Sequence, residues 1–352
     1  MVKVRIAVTG ATGFIGGRLI RHAVRRGDTV TALVRRQSDT TALRRTGAGV
    51  REVDWATGAG ITDAIAGVEC VVHLAGATAA RNRADYLRGN GDTAAVLARC
   101  LASLPDPPRL VHCSSLAAAG PSVPGRPRTE ADPPNPVSHY GGSKLAGEAA
   151  VRAVCERVRV VIVRPPIVYG PGDREFLPRL IPLVRAGLLP KAGTGLRWYS
   201  LIHVDDLVRA LFAAAVRGET VRNSAHTCAT GVYFVSDGHE YSWQDIAKTA
   251  ARALGRPTPV VFPVPLAMAQ LLACGAEFAA RAGGRVSLLN RDKAREMRYH
   301  AWTCSPQAAA RELNFTAEIP LRLGIEELIG PDAEETGRRR GRVSNKPNDM
   351  SS

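Results

Sequence analysis

The stretch TGATGFIG, Thr9 to Gly16, constrains this chain more than any other, because Gly10, Gly13 and Gly16 fall between an apolar run, VRIAV (4–8), and the start of a helical pattern. Glycines at that spacing serve a definite geometry. They allow a tight turn, let backbone approach a ligand closely, and let the new helix pack against the strand. The helix N-terminus then offers free N–H groups to an anion, so strand, glycine turn and helix in this order read as a pyrophosphate cradle. The spacing is G-x-x-G-x-x-G rather than G-x-G-x-x-G, and the same physics applies.

The rest of the chain supports that reading. Apolar runs TVTALV (29–34), VREV (50–53), CVVHLA (70–75), RLVHCSS (109–115) and VRVVIVR (158–164) alternate with helical patterns at about 13–26 and 84–103 and from near Ser138. Continuous apolar strands separated by helices predict an α/β fold, a doubly wound parallel sheet covered on both faces. A proline-rich stretch, GPSVPGRPRTEADPPNP (120–136), predicts a long loop, functional or disordered. After Arg164 the pattern loosens. A dinucleotide-binding domain over 1–165 plus about 200–225 is expected, with a smaller interleaved substrate domain at about 166–199 and 226–330 and a disordered basic tail at 331–352.

With 352 residues, 45% hydrophobic and 22% charged, the chain has ordinary globular composition and length for a sizeable core. Its opening reads as a strand and not as a signal peptide, so a cytoplasmic location is expected. Seven scattered cysteines, Cys70, Cys100, Cys113, Cys155, Cys228, Cys274 and Cys304, contain no C-x-x-C pair and read as buried reduced thiols, which argues against zinc and disulfides; no metal is expected. The net charge of +15 raises the question of nucleic acid. Its bases are dispersed, and the cluster RRRGR (338–342) lies in the tail, so a solvated basic surface without a nucleic-acid partner is expected. The apolar stretch at 266–274 is too short to span a membrane. It keeps two readings, core packing or contact with a bilayer surface.

Several residues carry candidate chemistry. The second strand ends in LVRRQSD, where dinucleotide folds meet the adenosine ribose; Arg35 and Arg36 there suit a 2′-phosphate and favour NADP(H), with NAD(H) left open. Asp54, Ala75 and Gly76 follow the third and fourth strands, where a bound adenosine would lie. Ser114 and Ser115 end the fifth strand, at the sheet edge where open α/β folds bind ligands. In SHYGGSK (138–144), Tyr140 precedes Lys144 by one helical turn. An ammonium stabilises a phenolate, so Lys144 is expected to lower the Tyr140 pKa and fit it for proton transfer near neutrality.

TGATGFIG, HLAGA, SSLAAAG, YGGSK and RPPIVYGPGD occur in the order and approximate spacing of the extended short-chain dehydrogenase/reductase superfamily, and the resemblance covers about residues 3–329. It implies a Rossmann-like parallel sheet of seven strands with a smaller substrate domain, and hydride transfer at nicotinamide C4. It implies Ser115, Tyr140 and Lys144 as the catalytic set. Cofactor contacts are implied at Gly10, Thr12, Gly13, Phe14, Ile15, Gly16, Arg35, Arg36, Asp54, Ala75, Gly76, Tyr140, Lys144, Pro165 and Ile167. Asn90 matches a family asparagine that braces the sheet, and a homodimer is the association the resemblance offers.

Within the superfamily, many sugar-nucleotide members carry an asparagine where RPPIVYG has Ile167. The motifs SSLAAAGP, LVRRQSD, HVDDL, YFVSDG and VPLAMAQLLA look more like the 3β-hydroxysteroid dehydrogenase and dihydroflavonol 4-reductase side. The expectation is therefore an NADP(H)-dependent oxidoreductase interconverting a secondary alcohol and a ketone on a largely apolar, steroid-, flavonoid- or ketoacyl-like substrate. Two rivals stand beside it: a sugar-nucleotide epimerase or dehydratase with retained NAD, and a non-catalytic nucleotide-binding scaffold.

Overall fold

The computed structural model describes residues 3–226, 228–282, 287 and 290–329. Six apolar segments form parallel strands β1 (Arg5–Thr9), β2 (Thr29–Val34), β3 (Gly49–Glu52), β4 (Cys70–His73), β5 (Arg109–Cys113) and β6 (Val160–Arg164). A seventh strand, Val232–Phe234, adds in parallel to the edge of β6. The spatial order is Val232–Phe234, β6, β5, β4, β1, β2, β3. Chain order reverses between β1 and β4, which opens a crevice at the carboxyl ends of those strands.

Ile6, Val8, Val72, Val111 and Val161 face one apolar layer, and Ala7, Val71, Leu110, Val160 and Ile162 the other. Helix α1 (Phe14–Arg26) buries Gly16, Leu19, Ile20 and Ala23 on a single stripe, and Gly27 ends it at φ 83° with its N–H bonded back to Val24. A third apolar cluster, with Tyr169, Leu177, Leu201, Ile246 and Leu321, lies under the smaller lobe.

Four expectations need correction or refinement. YFVSDG, placed by sequence in the substrate domain, supplies the seventh strand of the main sheet, and Ala308, Ala309 and Leu313 join that sheet's core. A strand of three residues is too short to show a period, which is why the pattern misplaces it. The loop 120–136 is not loose: Ser122 donates to Ala301 O, Arg128 to Thr303 O and Asn135 to Ala119 O through their amides. VPLAMAQLLA does not form a core helix, because Met268, Leu271 and Leu272 of the Leu266–Ala282 helix are exposed. Of the seven free thiols only Cys70, Cys113 and Cys304 are fully buried. The tail at 331–352 lies outside the described residues, and no helix among those described is long and apolar enough to cross a membrane.

Candidate active site

The glycine turn closes as its residue types require. Gly10 has φ 65°, and a Cβ on it would stand 2.6 Å from the Leu74 carbonyl carbon, so backbone of the turn rests directly on backbone after β4. A Cβ on Gly16 would meet Gly10 O at 2.3 Å, so α1 starts hard against its own turn. Gly13 caps α1 without a side chain, Thr12 and Gly13 are exposed, and the first turn holds no acidic residue. The leading amides of the helix are thus free of side-chain caps and carry the positive end of its dipole. This concavity fits a diphosphate. Phe14 lies on its rim, 3.3 Å from where a Cβ of Gly172 would stand, so the GPGD segment folds over the turn.

Thr9 braces the same place from below. Its hydroxyl oxygen accepts from Leu74 N (3.1 Å) and Ala75 N (3.0 Å), so its proton goes to Nδ1 of the buried His73, 2.8 Å away. Gly76 is fixed by Asn90, whose Oδ1 would lie 2.6 Å from any Cβ there. Asn90 sits in a π-helical turn, Leu87–Asp92, that interrupts the expected 84–103 helix. Its Oδ1 accepts from Ala77 N (2.9 Å), and its Nδ2 donates to Ala77 O (3.1 Å) and Ser143 Oγ (2.8 Å). The asparagine therefore ties the loop after β4 to the Tyr140 helix, a more local brace than the sheet.

The two serines after β5 part company. Ser114 Oγ donates to the buried Glu148 carboxylate and is committed to the interior. Ser115 N-caps the short Leu116–Ala119 helix, accepting from Ala117 N at 3.1 Å, and its hydroxyl lies near enough to the Tyr140 phenol to favour the ionised form. Tyr140 rises from the helix His139–Arg152, capped by Ser138. One turn on, the buried Lys144 donates Nζ to Cys113 O at 2.7 Å, and its Nζ is 3.7 Å from where a Cβ of Gly76 would stand. Ser115, Tyr140 and Lys144 thus converge beside the glycine turn and the loop after β4.

The expected lowering of the Tyr140 pKa is overturned. Burial pushes the phenol above its usual value, and the neighbouring Ser115 hydroxyl pulls it only part of the way back. Lys144 is itself held below its ordinary value by burial. Desolvation disfavours both charged forms, the phenolate and the ammonium alike.

Sequence reading missed the groups that hold Tyr140 in place. Asp292, from the helix Arg291–Glu296, accepts from His139 N (2.6 Å) and Tyr140 N (2.9 Å), and Ser138 Oγ donates to Glu296 at 2.8 Å. A carboxylate on the first amides of a helix satisfies orphan donors and meets the positive dipole end. Asn290 at the N-cap of the Asp292 helix was the one sequence signal, and it marked the helix without its target. Also missed was the buried pair beneath the site, in which Arg164 Nε and Nη2 reach Glu148 at 2.8 and 2.6 Å.

Arg35 and Arg36 are exposed, and neither guanidinium has a hydrogen-bonded partner among the described residues. Asp54 is exposed, with its carboxylate taken up by Ala56 N (2.8 Å) and Thr57 Oγ1 (2.9 Å); those bonds hold its pKa below the ordinary value. Pro165 accepts from Leu116 N at 2.8 Å, and Ile167 pairs with Leu201 in a short parallel ladder.

Comparison with known proteins bears on this geometry. The model of the NAD dependent epimerase/dehydratase family matches residues 6–227. The chain is 32% identical to ceramide reductase of Caulobacter vibrioides, over 91% of this chain and 90% of that protein. It is 30% identical to 2-alkyl-3-oxoalkanoate reductase of Stenotrophomonas maltophilia, over 72% and 76% respectively. Among solved structures it is similar to MoeE5 in complex with UDP-glucuronic acid and NAD, with TM-score 0.70 and 27% identity, covering 96% of this chain and 99% of that one. Sheet order, backbone cradle and full-length relatives agree: the chain belongs to the NAD dependent epimerase/dehydratase family, as an NAD(P)-dependent dehydrogenase or reductase of the extended short-chain type.

Proposed function

We propose that this enzyme is an NADP(H)-dependent reductase that converts a ketone on a largely apolar, acyl-chain-bearing substrate into a secondary alcohol, and runs the reverse oxidation. The observation that carries the reading is that the Ser115 hydroxyl and the Tyr140 phenol come close together just past the carboxyl end of β5. Two hydroxyls there offer a carbonyl oxygen two donors at one point. The names of two relatives, ceramide reductase and 2-alkyl-3-oxoalkanoate reductase, support an acyl-chain substrate.

When bound, the nicotinamide cofactor supplies the hydride for reduction or accepts it in oxidation. Amides at Phe14 and Ile15 would hold its diphosphate, the Gly13 amide being taken up by Gly10 O at 2.9 Å, with Arg35 and Arg36 at the 2′-phosphate and Lys144 beside the nicotinamide ribose. Ser115 and Tyr140 grip the substrate oxygen as charge develops on it, and Tyr140 gives that oxygen its proton. Because burial keeps the phenol protonated well above neutrality, the proton is present throughout the neutral range.

A panel of 3-oxoacyl, sphingoid and steroid ketones with NADPH, followed by absorbance of the reduced nicotinamide, tests the substrate class. Turnover confined to sugar nucleotides would reject it. The similarity to MoeE5, solved with UDP-glucuronic acid and NAD, favours a second reading, a sugar-nucleotide epimerase that retains NAD. NAD copurifying with the protein and epimerisation without added cofactor would establish that reading instead.

Cofactor choice is tested separately. Converting Arg35 and Arg36 to alanine is expected to weaken NADPH binding by about 1.5–3 kcal/mol, the range of charge-assisted hydrogen bonds, and to leave NADH nearly unchanged. Equal affinity of the unmodified enzyme for the two cofactors in titration calorimetry would overturn the assignment.

A further inference from the structure

The helix Leu266–Ala282 is built inside out. Met268, Leu271, Leu272 and Gly275, spaced i, i+3, i+4 and i+7, share one face, and that face is exposed, Leu271 to 72%. Turned the other way are Ala273, which is buried, Gln270, whose amide oxygen accepts from Arg298 once the amide is oriented to satisfy both groups, and Cys274, which receives Arg291 Nε at 3.2 Å. A surface helix of a globular protein places its apolar stripe inward. Reversal of that order is the signature of a face meant for something other than water.

The strand leading into this helix does the same. Val260–Val264 pairs in parallel with Leu188–Ala192, in a register that sets Leu188 beside Val260 and Pro190 beside Phe262. All four of these side chains are exposed, Val260 to 65%. Where both strands begin, Arg185 precedes Leu188 and Arg256 precedes Val260, with Arg252 one turn earlier. All three are exposed, and no ion pair or side-chain hydrogen bond holds them among the described residues.

We propose that this apolar, arginine-flanked face docks the enzyme on an anionic lipid bilayer. Charge decides between the available occupants. A two-fold dimer lays the patch on its own copy, which among these residues holds no carboxylate to meet the arginines. An anionic bilayer neutralises the same arginines and takes up the leucines and methionine below its headgroups. The residues beyond Gly330, PDAEETGRRRGRVSNKPNDMSS, offer no apolar segment to cover the face. The helix has 17 residues and does not cross a membrane, so it lies in the interfacial plane. This inference rests on the surface alone and is independent of the ketone substrate.

Sedimentation of the full chain with vesicles tests it, using phosphatidylcholine alone and phosphatidylcholine mixed with phosphatidylglycerol, with no substrate or cofactor present. Binding is expected to the anionic vesicles, to fall with added salt, and to be weak on phosphatidylcholine alone. Leu271→Asp with Leu272→Asp is expected to lower the partition coefficient roughly tenfold or more. Arg185→Ala, Arg252→Ala and Arg256→Ala together are expected to lower it by a similar factor on anionic vesicles only. Thermal melts matched to the parent protein show that either set folds, and each set tests the proposal without the other. The proposal is overturned if the unmodified chain stays in the supernatant with anionic vesicles at low salt, or if both variant sets bind like the parent. A dimer in gel filtration that the leucine substitutions dissociate, with no vesicle binding, would assign the face to a second copy instead.

Discussion

Tyr140→Phe is expected to cut turnover by at least about 10²–10⁴-fold, the range that general acid–base catalysis contributes, while the melting temperature and NADPH affinity stay near those of the parent. The substitution keeps the ring whose centroid lies 6.1 Å from that of Tyr86, and removes only the hydroxyl. The helix start remains held by Asp292 through the backbone amides of residues 139 and 140, contacts a side-chain change does not touch. The raised phenol pKa adds a directional signature. Reduction needs the protonated phenol, which burial favours, so its rate should be flat through neutral pH. Oxidation needs the phenolate, so its rate should climb with pH toward the alkaline range and show no plateau near pH 7. Steady-state rates in both directions across pH check this. A folded Tyr140→Phe enzyme with near-parental turnover, or an oxidation rate that is flat with pH, would remove Tyr140 from the role of proton donor.

The contrast between what the chain announces and what it hides follows sequence distance. The glycine turn, α1 and the first six strands are local patterns, set by φ requirements, helical period and continuous apolar runs, and all are readable within a dozen residues. Tyr140 and Lys144 are one helical turn apart, so their pairing is local too. The clamp on Tyr140 comes from Asp292 and Glu296, more than 150 residues later, and nothing in RDKARE indicates that its carboxylates cap another helix. The direction of the Tyr140 pKa escapes local reading for the same reason: the one-turn spacing to Lys144 is legible, and the burial that raises the phenol comes from the whole fold. The reversed helix at 266–282 shows a different limit, because an apolar stretch states its hydropathy and not whether the core or the outside receives it.

The Glu148–Arg164 pair should produce the largest stability effects. Both side chains are essentially inaccessible, at 0% and 2%, and Arg152, equally buried, stands one helical turn beyond Glu148 with its own guanidinium on Ala225 O and Cys228 O. A single carboxylate thus faces two buried cations. Glu148→Gln leaves Arg152 without a carboxylate and Arg164 with only the attraction of Glu130, whereas Arg164→Met leaves Glu148 with Arg152 and the Ser114 hydroxyl. Removing one partner of a buried pair costs about 3–5 kcal/mol, and Glu148→Gln should lie at the upper end with Arg164→Met below it. Urea midpoints at constant slope read both. The pH dependence follows from the same groups. Burial alone would raise the Glu148 pKa, but the charge and hydrogen bonds of Arg164 and the Ser114 bond outweigh it, so the folded value lies below the ordinary 4.5. A carboxylate depressed on folding stabilises the protein fully above its unfolded pKa, and that contribution is lost as pH falls through the folded value. Below about pH 4.5 the parent should therefore lose stability more steeply than Glu148→Gln, which has no proton to take up at this site. If Arg164→Met proves the more damaging change, or if the two acid profiles run parallel, then the pair's charge does not carry the stability, and the packing of Arg164 against the Phe234 ring does instead.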